Sequence, residues 1–171
     1  MTVSAAGPSI PSEPHASAGS PPEAGRWAPR VTVATVVARA GQLLLVEEEK
    51  QGRRVLNQPA GHLEPGESLV EAAVRETLEE TAWEVRPTAF IGAYQWNAAD
   101  GTPFLRFAFA AEPVAHHPER ALDHGIVQAL WLAPAALQAD MARLRSPLVW
   151  QTVSDWLAGQ RYPLSLLRRL P

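Results

Sequence analysis

The sequence predicts an α/β protein, strands interleaved with a few helices, and three observations carry that expectation. Runs of β-branched and leucine residues open the ordered chain and return after residue 84, a capped helix dense in carboxylates interrupts them, and a Ser-Pro step opens a last helix. Residues 30–49, RVTVATVVARAGQLLLVEEE, read as two strands turning at Ala40-Gly41. Residues 53–61, RRVLNQPAG, read as a short strand delivering the chain to a glycine loop. Ser68 and Glu71 form an S-x-x-E capping box, which starts a helix at about Leu69. Residues 84–96 then read as a strand broken at Pro87, and 104–112 as another, with Asp100-Gly101 turning between them. Residues 113–125 read as a loop with two prolines and three histidines, where His116 and His117 beside Pro118 are expected to be solvated. Residues 126–132 return as a strand, and Pro134 takes the first position of a short helix. Ser146-Pro147 opens a helix over 148–158 that stops at Gly159.

At 171 residues the chain fits one domain of ordinary size. Its formal charge of −3 argues against a binder of nucleic-acid polymers or of membrane surfaces. It holds no apolar run of bilayer-spanning length. The absence of cysteine excludes disulfides and thiolate metal sites and fits a cytoplasmic protein. Residues 1–29 carry six prolines among alanine, serine and glycine, a composition that buries too little surface to offset ordering, so they read as a disordered tail. The folded domain is expected over 30–165, followed by a short tail, 166–171.

The chemistry concentrates in residues 61–83, GHLEPGESLVEAAVRETLEETAW, which place six glutamates and an arginine on and around one helix. At 3.6 residues per turn Glu76, Glu79 and Glu80 stand within about 100° of one another. Val70, Val74 and Leu78 fall opposite them as an apolar stripe. Like charges so spaced repel by a few tenths of a kcal/mol per pair. A bound cation offsets that repulsion, and oxygen ligands suit a hard one, Mg²⁺ or Mn²⁺. Glu67, just ahead of the first turn, can reach back to Arg75 and fix the loop against the helix.

These 23 residues resemble the Nudix box, Gly-x5-Glu-x7-Arg-Glu-aliphatic-x-Glu-Glu-x-Gly-aliphatic, with Gly61, Glu67, Arg75, Glu76, Glu79 and Glu80 at its spacing. The resemblance implies an α/β/α sandwich and a metal-dependent hydrolase of phosphoanhydrides. It also implies metal ligation by the Gly61 carbonyl, Glu76, Glu79 and Glu80, with Arg75 and Glu67 orienting the site. One carboxylate, with Glu79 the first candidate, serves as base. Three positions depart from the pattern: Thr77 replaces an aliphatic residue, Ala82 replaces the glycine that leaves the helix, and Trp83 is apolar but aromatic. Thr77 is expected to face inward and bond back to the preceding turn. A left-handed cap costs a residue with a Cβ about 1–2 kcal/mol, so the exit turn at Ala82 is expected to differ.

Runs outside the box, NQPAGHLE (57–64), LVEAAVRE (69–76), TPFLRFAFA (102–110), RSPLV (145–149) and GQRYPL (159–164), resemble a bacterial phosphatase branch of that family. The branch removes the terminal phosphate of nucleoside tri- and diphosphates and converts hydroxymethylpyrimidine diphosphate, the thiamine pyrimidine, to its monophosphate. The resemblance leans towards a monomer acting on a small molecule. Trp96 and Phe104, with Tyr94, offer ring faces to a heteroaromatic substrate, and Arg106 offers a planar fork for phosphate. Asn57 and Gln58 could bond a base edge or a phosphate, while Arg161 and Tyr162 read as a segment closing over the site. Asp123, with His124 beside it, is the candidate for an extra ligand or base from a loop beyond the box. Two alternatives stay open: a pyrophosphohydrolase of nucleotide sugars or dinucleoside polyphosphates, and a non-catalytic nucleotide sensor. Their products separate them, since only the phosphatase releases free phosphate.

Overall fold

In the computed structural model, which describes residues 27–170, the hydrophobic strands assemble as one mixed sheet. Its strands are β1 (Arg30–Arg39), β2 (Gln42–Lys50), β3 (Arg53–Asn57), β4 (Ala60–His62), β5 (Trp83–Asn97), β6 (Pro103–His116) and β7 (Ile126–Leu132). The helices are α1 (Leu69–Thr81), α2 (Pro134–Ala139) and α3 (Pro147–Leu157). The tail expected over 1–29 lies almost wholly outside the described residues. The principal path runs β3-β2-β1-β6-β5, with β4 joined to β1 and β7 to β2. β1 and β6 are parallel, and the remaining pairs are antiparallel.

Alternation along the strands sends side chains to two different helical layers. Val33 and Phe109 meet Ala72 and Ala73 of α1 on one face. Val36, Leu43, Leu45, Ile91, Ala108 and Ala110 meet Leu137 of α2 and Val153 of α3 on the other. The result is the expected α/β/α sandwich. No helix among the described residues is long and apolar enough to cross a membrane.

Several local expectations need correction. The strand expected over 53–61 divides at Gln58-Pro59, so that β3 pairs with β2 and β4 pairs with β1. Pro87 does not break β5: the strand lies at the end of the sheet path and absorbs the proline in a register shift between Pro87 and Ala89. β6 continues past Pro113, and exposed His116 stacks on Trp83 with ring centroids 4.5 Å apart. Leu167, placed in the tail by sequence, packs with Leu164 against the α1 face of the core.

The buried side of α1 is also not the Val70-Val74-Leu78 stripe. Those three are only partly buried and line a surface depression, with Val70 also against the edge of the core, whereas Ala72, Ala73, Thr77, Glu80 and Thr81 are buried. Small side chains let the helix lie close to the sheet, and close packing outweighs bulk in choosing the inward face. Thr77 is fully buried, donates to the Ala73 carbonyl at 2.7 Å and accepts from the Thr35 hydroxyl at 2.7 Å.

The helix exit keeps the left-handed turn despite its alanine. Ala82 has φ 57° and ψ 17°, and its N–H reaches the Leu78 carbonyl. Packing, with Ala82 only 3 % exposed, therefore overrides the local preference that led the sequence reading to expect another turn. Ala82→Gly relieves the Cβ strain at the expense of some unfolded-state entropy, so a net gain of about 0.5–1 kcal/mol is expected. In a chain of this size that raises Tm by roughly 1–4 °C, measurable by calorimetry. An unchanged or lower Tm would mean the lost methyl contact outweighs the strain.

Candidate active site

The capping box forms as expected: the Glu71 N–H donates to Ser68 Oγ at 3.2 Å, and the Ser68 N–H donates to Glu71 Oε2 at 2.7 Å. This fixes the start of α1, and with it the angle at which the later carboxylates leave the helix. Arg75 then gathers the surrounding acids. Its Nε and Nη2 donate to the two oxygens of Glu67 at 2.9 and 2.7 Å, its Nη1 reaches Glu76 and Glu79 at 2.9 Å each, and Nη2 also reaches the His62 carbonyl at 3.0 Å. Glu67 also accepts the Glu64 N–H at 2.7 Å, so one carboxylate ties the glycine loop to the helix.

Gly61 is required by a close approach. A Cβ built there would lie 2.0 Å from Cδ of Glu76 and 2.1 Å from both its oxygens, so the Glu76 carboxylate fills the space a side chain would take. Glu80 turns towards the same loop and accepts the Ala60 N–H at 2.8 Å. Burial raises the Glu76 carboxyl above its ordinary range, against the pull of Arg75. Burial likewise pushes Glu80 up to about 8; the Ala60 hydrogen bond opposes this, while the charges of Glu48, Glu76 and Asp123 reinforce it. The Asp123 N–H bonds the Glu79 carbonyl at 3.1 Å, which places its loop beside the end of the helix.

The donor set of buried carboxylates around a glycine backbone suits a hard divalent cation, whose charge would relieve the strain of keeping Glu76 and Glu80 ionised. The oxygens are not already drawn into a cage. Among the described residues no three carboxylate or imidazole groups converge on one point, because Arg75 engages Glu76 and Glu79 and the Ala60 N–H engages Glu80.

A cleft of about 370 Å³ opens beside Gly61, and Asn57, Trp96, Phe104 and Arg106 line it. Trp96 and Phe104 face each other across β5 and β6 with centroids 5.6 Å apart. Arg30, Lys50, Arg106 and Arg145 contribute four cationic side chains against the acids Glu48 and Asp100, which favours an anionic occupant. Arg106 is only 8 % exposed, and its Nε and Nη1 have no hydrogen-bond partner. Burial lowers its guanidinium to about 10. Six residues among those described bury an unpartnered side-chain polar atom, and four of them (Thr32, Asn57, Arg106 and Ser146) line this cleft. Such groups cost free energy unless something bonds them, so their concentration marks a polar binding site.

Four residues expected at the site are not brought to the cleft: Gln58, Tyr162, Arg161 and Tyr94, which packs against the core and donates its hydroxyl to Asp155 at 2.8 Å. Gln58 is 1 % exposed and donates from Nε2 to the Val149 carbonyl at 2.9 Å, bracing the first turn of α3. Tyr162 pairs with Phe90 through two backbone hydrogen bonds, and its hydroxyl donates to Gln160; it lies outside the cleft and closes nothing over it. Arg161 likewise bonds the Trp156 carbonyl and lies over the Trp156 ring. Sequence reading missed Thr32, Glu48, Arg145 and Ser146. The RSPLV run was the available signal for two of them, but Ser146 reads there only as a helix cap.

The sandwich fold, the glycine loop tied to its helix and the acidic ridge beside a cationic cleft define a phosphoanhydride hydrolase. The chain belongs to the Nudix family: the NUDIX domain model matches residues 27–151. It is 49 % identical over 140 residues to phosphatase NudJ of Escherichia coli strain K12, covering 81 % of this chain and 90 % of the relative. A NUDIX hydrolase structure from Nitrosomonas europaea superposes with TM-score 0.82 at 47 % identity, covering 84 % of this chain and 98 % of that one. The UDP-X diphosphatase structure, with TM-score 0.61 at 16 % identity over 82 % of this chain and 68 % of that one, shares the fold. Enzymes of this family work with divalent metal ions.

Proposed function

We propose that the protein is a Mg²⁺- or Mn²⁺-dependent phosphatase that releases phosphate from hydroxymethylpyrimidine diphosphate and from nucleoside tri- and diphosphates. The observation that carries this reading is the junction at Gly61, where a cleft with a ring-stacking pair and an unpartnered arginine meets the acidic ridge. Similarity to phosphatase NudJ over most of both chains supports the same class of reaction.

The Gly61 carbonyl, Glu76, Glu79 and Glu80 would hold the divalent ion, which when bound neutralises phosphate oxygens and acidifies water. Arg75 and Glu67 keep the glycine loop against α1, so that Glu76 and Glu80 sit against Gly61 and Ala60, which line the cleft. Glu79, whose side chain is 28 % exposed against 12 % for Glu76, has the freer access to solvent and takes the proton of the attacking water. Water adds at phosphorus, the anhydride P–O bond breaks, and the bridging oxygen leaves with the monophosphate. Asp123 lends further negative charge beside Glu76 and Glu80 as an additional ligand or base. Trp96 and Phe104 stack the ring, Arg106 clamps phosphate, and the free Asn57 Oδ1 accepts from a base edge.

A phosphate-release screen with hydroxymethylpyrimidine diphosphate, nucleoside triphosphates and ADP-ribose tests the proposal. Metal-dependent phosphate from the first two supports it; turnover of ADP-ribose alone contradicts it. Within that screen Arg106→Lys keeps the charge but loses the fork, and Trp96→Ala removes the platform. Each should raise KM about tenfold or more for both substrate classes. Wild-type kinetics in both variants would show these side chains to be structural.

A further inference from the structure

Beside Arg106 the cleft holds two buried, unpartnered hydroxyls, Thr32 and Ser146, that the mechanism above leaves without a task. Arg106 and Phe104 are two residues apart on β6, so they project from the same face about 7 Å apart along the strand. Directly across from Arg106 on β1 is Thr32, whose Oγ1 is buried and unpartnered. Thr32 in turn pairs with His62 on β4, one residue from Gly61. A path thus leads from the ring platform, through Arg106 and Thr32, to the acidic ridge.

The N-terminal end of α3 closes this path from the side. Ser146 is its N-cap, yet the hydroxyl makes no capping bond; it is buried, unpartnered and lines the same cleft. The segment is held rigidly, since the Arg145 N–H donates to the Leu56 carbonyl at 2.8 Å and Gln58 braces Val149. Arg145 also lines the cleft, with Nε 3.5 Å from Glu48. An eleven-residue helix presents partial positive charge at this end, beside a buried guanidinium with two free nitrogens.

We propose that Arg106, Thr32 and Ser146, backed by the N-terminus of α3, form the seat for the phosphate that stays on the product, while the terminal phosphate lies at the box carboxylates. This rests on the reading of the substrate as a ring-bearing diphosphate. A guanidinium and two hydroxyls beside a helix N-terminus suit a phosphate monoester, whose oxygens accept from all three side chains. One consequence is that the monophosphate product binds without metal, through groups that never touch the departing phosphate.

Calorimetric titration of the full chain in chelator, with hydroxymethylpyrimidine monophosphate and with its phosphate-free alcohol, tests the seat. Ser146→Ala loses no capping bond and Thr32→Val is nearly isosteric, so both variants should fold. Each should weaken the monophosphate about tenfold and leave the alcohol unchanged. Unchanged monophosphate affinity in both variants, or an equal loss with the alcohol, overturns the proposal. Turnover of the diphosphate is assayed separately. A wild type that shows the expected binding pattern but no turnover leaves the seat standing and removes the catalytic reading, whereas turnover with unaltered binding in the variants does the reverse.

Discussion

Glu80→Gln should lower turnover by about 10²-fold or more, the scale of removing one electrostatic stabiliser from a phosphoryl-transfer site, while leaving the fold intact. Glutamine keeps the shape and still accepts the Ala60 N–H, so the loss isolates charge from packing. Stability should move the other way. The Glu80 carboxyl is pushed up to about 8 chiefly by burial, from an ordinary value of 4.5. A raised folded-state value favours the protonated form, so the associated stability is complete below about pH 4.5 and is lost as pH rises through 8. In chelator the variant should therefore gain on the wild type between pH 5 and 9, by on the order of a few kcal/mol at the upper end. Urea melts at both ends of that range check the sign. Near-normal turnover would remove Glu80 from the site, and a gap that narrows with pH would contradict its buried charge.

Gly61→Ala should produce a comparable loss of activity by a different route. The glycine is not in the left-handed region, so the backbone tolerates alanine and the effect is steric. The new methyl would meet the Glu76 carboxylate at 2.0–2.1 Å, and the flexible end of that side chain has to leave. Arg75 would keep both oxygens of Glu67 and its bond to Glu79, so the stability cost should stay near 1 kcal/mol while turnover falls about 10²-fold. Chemical denaturation beside steady-state kinetics separates the two. A folded variant with wild-type turnover would show that the seat of Glu76 under Gly61 does not matter to catalysis.

These residues also show where the sequence was legible. Local rules succeed where the cause is local: the S-x-x-E box starts α1 at Leu69, Pro134 opens α2, and Glu67 reaches Arg75 as its spacing predicts. They fail where tertiary packing decides. Periodicity marks Val70, Val74 and Leu78 as an apolar stripe and Thr77 as inward, but a close helix-sheet approach buries Ala72 and Ala73 with Thr77 in place of the stripe. Steric cost argued against a left-handed Ala82, yet burial holds it there. Box spacing brings Glu76, Glu79 and Glu80 to one side without showing that Arg75 and the Ala60 N–H divide them. Arg106 and Trp96 were readable from strand alternation. Thr32 and Ser146 were not, because only the meeting of β1, β6 and the start of α3 gives their hydroxyls a common cavity.

The central claim, that the box carboxylates and the cleft act together to split a terminal phosphate from a small diphosphate, is tested most directly by product analysis. Hydroxymethylpyrimidine diphosphate is incubated with the full chain and Mg²⁺, and phosphorus NMR follows the species formed. The account predicts monophosphate and inorganic phosphate appearing in equal amounts, only with the divalent ion, and at least about 10²-fold more slowly with Glu80→Gln. Pyrophosphate as the product, or an undiminished rate in chelator, would contradict it.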